Sequence, residues 1–134
     1  MKNDLEHDVD QWLRFVEMDM STARHLFKMM HPKPLEIICF HCQQAAEKAI
    51  KALFILKEIE VIKIHDLIIL LKKIEPFFSV PLSVKNASDD LTPFAATFRY
   101  PQYPDIEEEL TQKALSDMDI VVDWCKEQIK TCRS

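Results

Sequence analysis

Not one of the 134 residues is glycine. Glycine is the residue that takes positive φ without steric penalty and lets a backbone approach a phosphate closely, so its absence excludes glycine-rich phosphate loops, dinucleotide-binding fingerprints and two-residue Asn-Gly hairpins. It also excludes the usual nucleophile elbow, and no Ser-His-Asp or Cys-His-Asp order stands in its place. What remains easy to build is helix.

The apolar residues follow that lead. Leu5, Val9, Trp12, Val16, Met20, Ala23, Phe27 and Met30 recur every three or four positions, which predicts one long amphipathic helix over residues 4–30. His31-Pro32-Lys33-Pro34 stops it, because proline disfavours helical geometry in the residue before it. A second helix is expected over 35–58. Between Cys39 and Leu56 it is apolar around most of its circumference, which makes it the central helix, and His41, Gln44, Glu47, Lys48 and Lys51 fall into its one polar arc.

Residues 60–64 are β-branched but have no second strand to pair with, and read as a connector. His65-Asp66 opens a third helix ending at Glu75, with Leu67, Leu70, Leu71 and Ile74 inward. A weaker fourth helix is expected over 84–98, bent near Pro93. Asp105 caps a fifth, with Glu107, Glu108 and Glu109 in its first turn and Ile106, Leu110, Ala114, Met118, Val121, Val122, Cys125 and Ile129 inward. The fold class is therefore all-α, an antiparallel up-and-down bundle of about five helices in a single domain over 1–134.

Seventeen Lys and Arg against 22 Asp and Glu give a net charge of -5, which argues against a general nucleic-acid coat. No apolar run is long enough to cross a membrane and the first residues are too polar for a signal peptide, so a cytoplasmic protein with four reduced, buried cysteines is expected. Cys39, His41 and Cys42 lie close together, but a structural zinc site takes four ligands, usually as two short-spaced pairs, and Cys125 and Cys132 are not such a pair. Neither metal nor cofactor is expected.

Three constellations carry chemistry. Gln44, Lys48 and Lys51 present an amide and two ammonium groups one turn apart, which reads equally as an anion site or as a solvated stripe with a Glu47–Lys51 pair. His65-Asp66 reads as a helix cap or, less readily, as a binding pair. Arg99-Tyr100-Pro101-Gln102-Tyr103-Pro104 is a proline-stiffened corner with one arginine and two tyrosines, suited either to binding or to sealing the bundle end.

The ordered segments Phe40-His41-Cys42-Gln43-Gln44-Ala45-Ala46-Glu47-Lys48-Ala49-Ile50-Lys51-Ala52-Leu53, His65-Asp66-Leu67 and Arg99-Tyr100-Pro101, with Trp12-Leu13 and Asp19 ahead of them, resemble the HEPN (higher eukaryotes and prokaryotes nucleotide-binding) family. The resemblance spans nearly the whole chain. It implies a compact helical bundle, often a homodimer, encoded in prokaryotes beside a minimal nucleotidyltransferase as half of a toxin-antitoxin-like pair. Some members bind nucleotides, and others cleave RNA with an arginine followed four to six residues later by a histidine. Here Tyr103, Pro104 and Asp105 occupy those positions after Arg99.

The leading expectation is a nucleotide-binding or partner-binding protein whose ligand meets Arg99, Tyr100, Tyr103, Gln44, Lys48, Lys51 and His65. The alternatives are a metal-independent ribonuclease toxin using Arg99, with Tyr103 or His65 replacing the absent histidine, and a dimeric interaction module without a small ligand.

Overall fold

The computed structural model describes residues 2–96 and 106–133. Five α-helices follow one another, α1 Lys2–Met29, α2 Leu35–Leu56, α3 Leu67–Ile74, α4 Leu82–Leu91 and α5 Glu108–Arg133, with a 3₁₀ turn at Thr92–Ala95. Among the described residues there is no strand, and residues 60–64 form a connector as expected. Helix α2 packs between α1 and α5, α3 and the 3₁₀ turn rest on α2, and α4 lies against α5 and α3.

The central position of α2 follows from its composition. Ala45, Ala46, Ala49 and Ala52 are fully buried and let neighbouring helices approach closely, while Ile38, Ile50, Leu53 and Phe54 fill the space between them. Each such large side chain contributes about 1.5–3 kcal/mol relative to exposure. Val9, Val16, Met20 and Ala23 of α1 and Ala114, Met118, Val121, Val122, Cys125 and Ile129 of α5 meet this core, as their spacing predicts. Met30 and Leu110 do not: the first lies just past the end of α1 and the second in the opening turn of α5, where the helix faces solvent.

Helix α1 runs antiparallel to α5, and three ion pairs mark the seam. Asp10–Arg133, Glu17–Lys126 and Arg24–Asp119 step along it at seven-residue intervals on both helices. At that spacing successive pairs return to the same side of each helix, so the long outer rod is held in register over most of its length.

The helix ends show how a glycine-free chain manages its caps. Asp66 accepts hydrogen bonds from the backbone N–H groups of Ile68 and Ile69, and the Thr92 hydroxyl accepts from Leu67 N–H, so the first three donors of α3 are all satisfied. At the end of α2, Glu58 N–H donates to Ile55 O and Ile59 N–H to Phe54 O, the paired bonds of a Schellman motif. The motif requires a left-handed residue, and Glu58 takes it with φ 56°. For this reason α2 stops at Leu56, two residues before the expected end.

Helix α4 also differs from expectation. It starts at Leu82, directly after Pro81, and gives way at Thr92–Pro93 to the 3₁₀ turn rather than continuing to 98. Pro93 lacks the N–H that an α-helical turn would use there. Of the four cysteines, all with free thiols, Cys39, Cys42 and Cys125 are buried, whereas Cys132 is exposed in the last turn of α5. The expected Asp105 cap of α5 lies outside the described residues.

Candidate functional site

The polar arc of α2 is not a solvated stripe. Gln43 is fully buried, and Glu47 and Lys51 are only 4% and 6% exposed. Three donors converge on the Glu47 carboxylate: Gln43 Nε2 at 3.0 Å and His65 Nδ1 at 2.9 Å reach Oε1, and Lys51 Nζ reaches Oε2 at 3.0 Å. Gln43 Nε2 also donates to the His65 carbonyl at 3.1 Å, and Gln44 Nε2 donates to Gln43 Oε1 at 2.7 Å. A buried carboxylate thus ties α2 to the residue before the α3 cap.

One turn away the arc meets α1. Asp19, 8% exposed, accepts from Lys48 Nζ at 2.6 Å and pairs with His41 Nδ1 at 2.9 Å. In both halves a carboxylate engages the Nδ1 side of an imidazole. That contact places the proton of a neutral ring on Nδ1 and leaves Nε2 as the acceptor. His65 is turned outward with its side chain 64% exposed; His41 is half-buried, with its ring edge-on to Phe40.

Two carboxylates and two ammonium groups make the whole network electrically neutral while its imidazoles are neutral. Such a buried arrangement is retained only if every member is matched, because an ion left unpaired there carries a large desolvation penalty. The structure therefore places Lys51 and His65 together on Glu47, sends Lys48 to Asp19, and uses Gln44 to brace Gln43. Asp66 is the α3 cap, so of the two readings of His65-Asp66 the capping one holds for Asp66, while His65 belongs to the network. Arg99, Tyr100 and Tyr103 lie outside the described residues.

Lys48 also forms one wall of a cleft of about 260 Å³ between α1 and α2, whose other lining residues are Gln11, Trp12 and Phe15. The Lys48 ammonium stands 5.9 Å from the centre of the Phe15 ring, and the Arg14 guanidinium stands at the same distance. The Phe15 side of this cleft is open, with that residue 46% exposed. Two aromatic rings, one of them flanked by two cations, suit a flat heterocycle carrying negative charge.

Sequence reasoning missed Gln43 and Glu47 as the hub and Phe15 as a wall. The signal for the hub was present, since Gln43, Glu47 and Lys51 repeat at i,i+4 and so stack along one side of α2. Phe15 carried none, because it is one position off the buried face of α1. Among the described residues no group of three His, Cys, Asp or Glu side chains is placed to hold a metal ion, and no helix is long and apolar enough to cross a membrane.

The molecule is thus an all-helical bundle built on an alanine-rich central helix that carries an ionic hub. The HEPN domain model matches residues 9–128, and the chain belongs to that family. Among solved structures it is similar to an archaeal HEPN homologue, with 25% identity over 90% of this chain and 97% of the other and a TM-score of 0.72. A protein from Thermus thermophilus shares 21% identity over 89% and 96% of the two chains at TM-score 0.76. A HEPN domain protein from Thermotoga maritima shares 17% over 90% and 98% at TM-score 0.72. No curated protein gives a significant match.

Proposed function

We propose that this HEPN protein binds a nucleotide, with the base against Trp12 and Phe15 and a phosphate at Lys48. The observation that carries the reading is the cleft itself, in which the one cation of the α2 arc with substantial access to solvent lines the same cavity as two aromatic rings. Base stacking on an aromatic side chain contributes about 1–3 kcal/mol, and a charge-assisted bond to phosphate adds to it. Gln44, Lys51 and His65, in the neighbouring Glu47 cluster, and Arg99, Tyr100 and Tyr103 are proposed as further contributors to the ligand site. Calorimetry with a panel of nucleotides tests this: heat is expected with the wild type and lost in Trp12→Ala and Lys48→Ala. Absence of heat with every nucleotide removes the reading.

The wider setting we propose is cytoplasmic and prokaryotic: a homodimer forming the HEPN half of a nucleotidyltransferase/HEPN toxin-antitoxin-like pair. Met18, exposed on the outer side of α1, supports a protein contact there. Light scattering that finds a monomer at all concentrations removes the homodimer, and failure to co-purify with a nucleotidyltransferase encoded beside it removes the pair.

A second reading, metal-independent RNA cleavage, is favoured by one feature, the outward His65 imidazole held through Nδ1 by a buried carboxylate. Nε2 is then available to take a proton from a ribose 2′-hydroxyl as that oxygen attacks phosphorus and the bond from phosphorus to the next nucleotide's 5′-oxygen breaks, leaving a 2′,3′-cyclic phosphate and a 5′-hydroxyl protonated by solvent. Growth arrest on expression, relieved by both His65→Ala and Arg99→Ala, is expected on this reading; intact cellular RNA after strong expression counts against it.

A further inference from the structure

We propose that the α1–α2 cleft takes a nucleoside monophosphate in preference to a di- or triphosphate, and that Asp19 sets this limit. The inference rests on the nucleotide reading of the cleft and adds the charge of the ligand to it.

Lys48 has three N–H donors, and one already engages Asp19 Oδ2 at 2.6 Å. The aspartate is nearly buried and holds His41 on its other oxygen, so it is not free to swing away. An incoming phosphate therefore meets an ammonium group whose charge is countered at contact distance. The second cation at the Phe15 ring is Arg14, 5.9 Å from the ring centre and exposed on α1. Lys48, Asp19 and Arg14 together carry one net positive charge. A nucleoside monophosphate, with about two negative charges near neutral pH, already exceeds this, and each further phosphate widens the mismatch.

The surroundings add no further uncompensated cation for a longer chain of phosphates. Arg14 also lines the hollow that opens beyond it, together with Glu17, Met18, Ser21 and Thr22, and Glu17 is already paired with Lys126. A chain of phosphates extending from the cleft in that direction would find no second cation among the lining residues, and one folded back toward Lys48 would meet Asp19. Clustered cations are what polyphosphate binding requires, and here the cations are interleaved with acids. Asp19 is thus a specificity-determining residue: it steers Lys48 and lowers the charge that the cleft accepts.

Calorimetry with adenosine, AMP and ATP, and with the matching guanine series, tests the proposal on the intact chain. In the wild type the monophosphate is expected to bind about tenfold tighter than the nucleoside, with the triphosphate no tighter than the monophosphate. Asp19→Asn keeps the side-chain shape, removes the charge, and is expected to shift preference toward the triphosphate by about tenfold. Arg14→Ala, on an exposed helix position, is expected to weaken the monophosphate severalfold more than it weakens the nucleoside. A triphosphate bound more than tenfold tighter than the monophosphate by the wild type overturns the proposal. So does an Arg14→Ala variant that binds all three as before, and in either case the nucleotide reading still stands. Binding of none of the probes overturns that reading as well.

Discussion

Toward α5, helix α2 offers sulfur: Cys39 Sγ lies 3.5 Å from the Thr111 hydroxyl, and Cys42 is buried one turn on. Toward α1 and α3 it offers charge, with Glu47 and Lys51 buried almost as deeply as the thiols. The two sides respond to burial in opposite ways. A thiol escapes the penalty by staying protonated: burial pushes Cys39 up to about 11, against a smaller opposing effect of the Thr111 hydrogen bond, and it drives Cys42 and Cys125 higher still. The carboxylate and ammonium instead bring their counter-charges with them. One side of the helix therefore tolerates loss of a group, and the other does not.

The sharpest way to break this contrast is Glu47→Ala. It leaves the Lys51 ammonium buried without a counter-charge and takes the acceptor from Gln43 and His65, and the expected loss is about 3–5 kcal/mol in chemical denaturation. Cys42→Ala on the other side removes a small apolar group and is expected to lower stability by only about 1 kcal/mol. Equal effects for the two variants would show that the ionic hub is not what holds α3 to α2.

The end of the same helix supplies a gain of similar size to the smaller loss. Glu58 stands in the left-handed region, which disfavours any residue with a Cβ by about 1–2 kcal/mol, so Glu58→Gly is expected to raise stability by about 1 kcal/mol and the melting temperature with it. The remaining effect concerns pH and is confined to alkaline solution. An unfolded Cys39 thiol ionises near 9.0, whereas in the folded chain it holds its proton to about 11. The unfolded state thus binds fewer protons between those values, and stability falls as pH rises from 9 toward 11. Thiol labelling at about pH 8, just below the ordinary cysteine range, is expected to modify Cys132 at once and the other three only on unfolding.

Helical faces were legible because burial repeats with the helical period. Leu67, Leu70, Leu71 and Ile74 needed only spacing to be placed inward, and the alanines of α2 marked it as central. Lys51 was not legible in the same way: its spacing to Glu47 is that of countless solvated pairs, and nothing local distinguishes a buried one. Lys48 follows Gln44 by one helical turn yet answers to Asp19 on another helix, a partner 29 positions away that no periodicity connects to it.

The absence of glycine and the three-to-four-residue rhythm of apolar side chains determined a helical bundle, since backbone preference and amphipathic burial are properties of short stretches of chain. Which acids meet which bases was decided only when α1, α2 and α3 packed together. Pairing of charges depends on distances between elements remote in sequence, and the dielectric around them exists only once the surrounding apolar groups have excluded water.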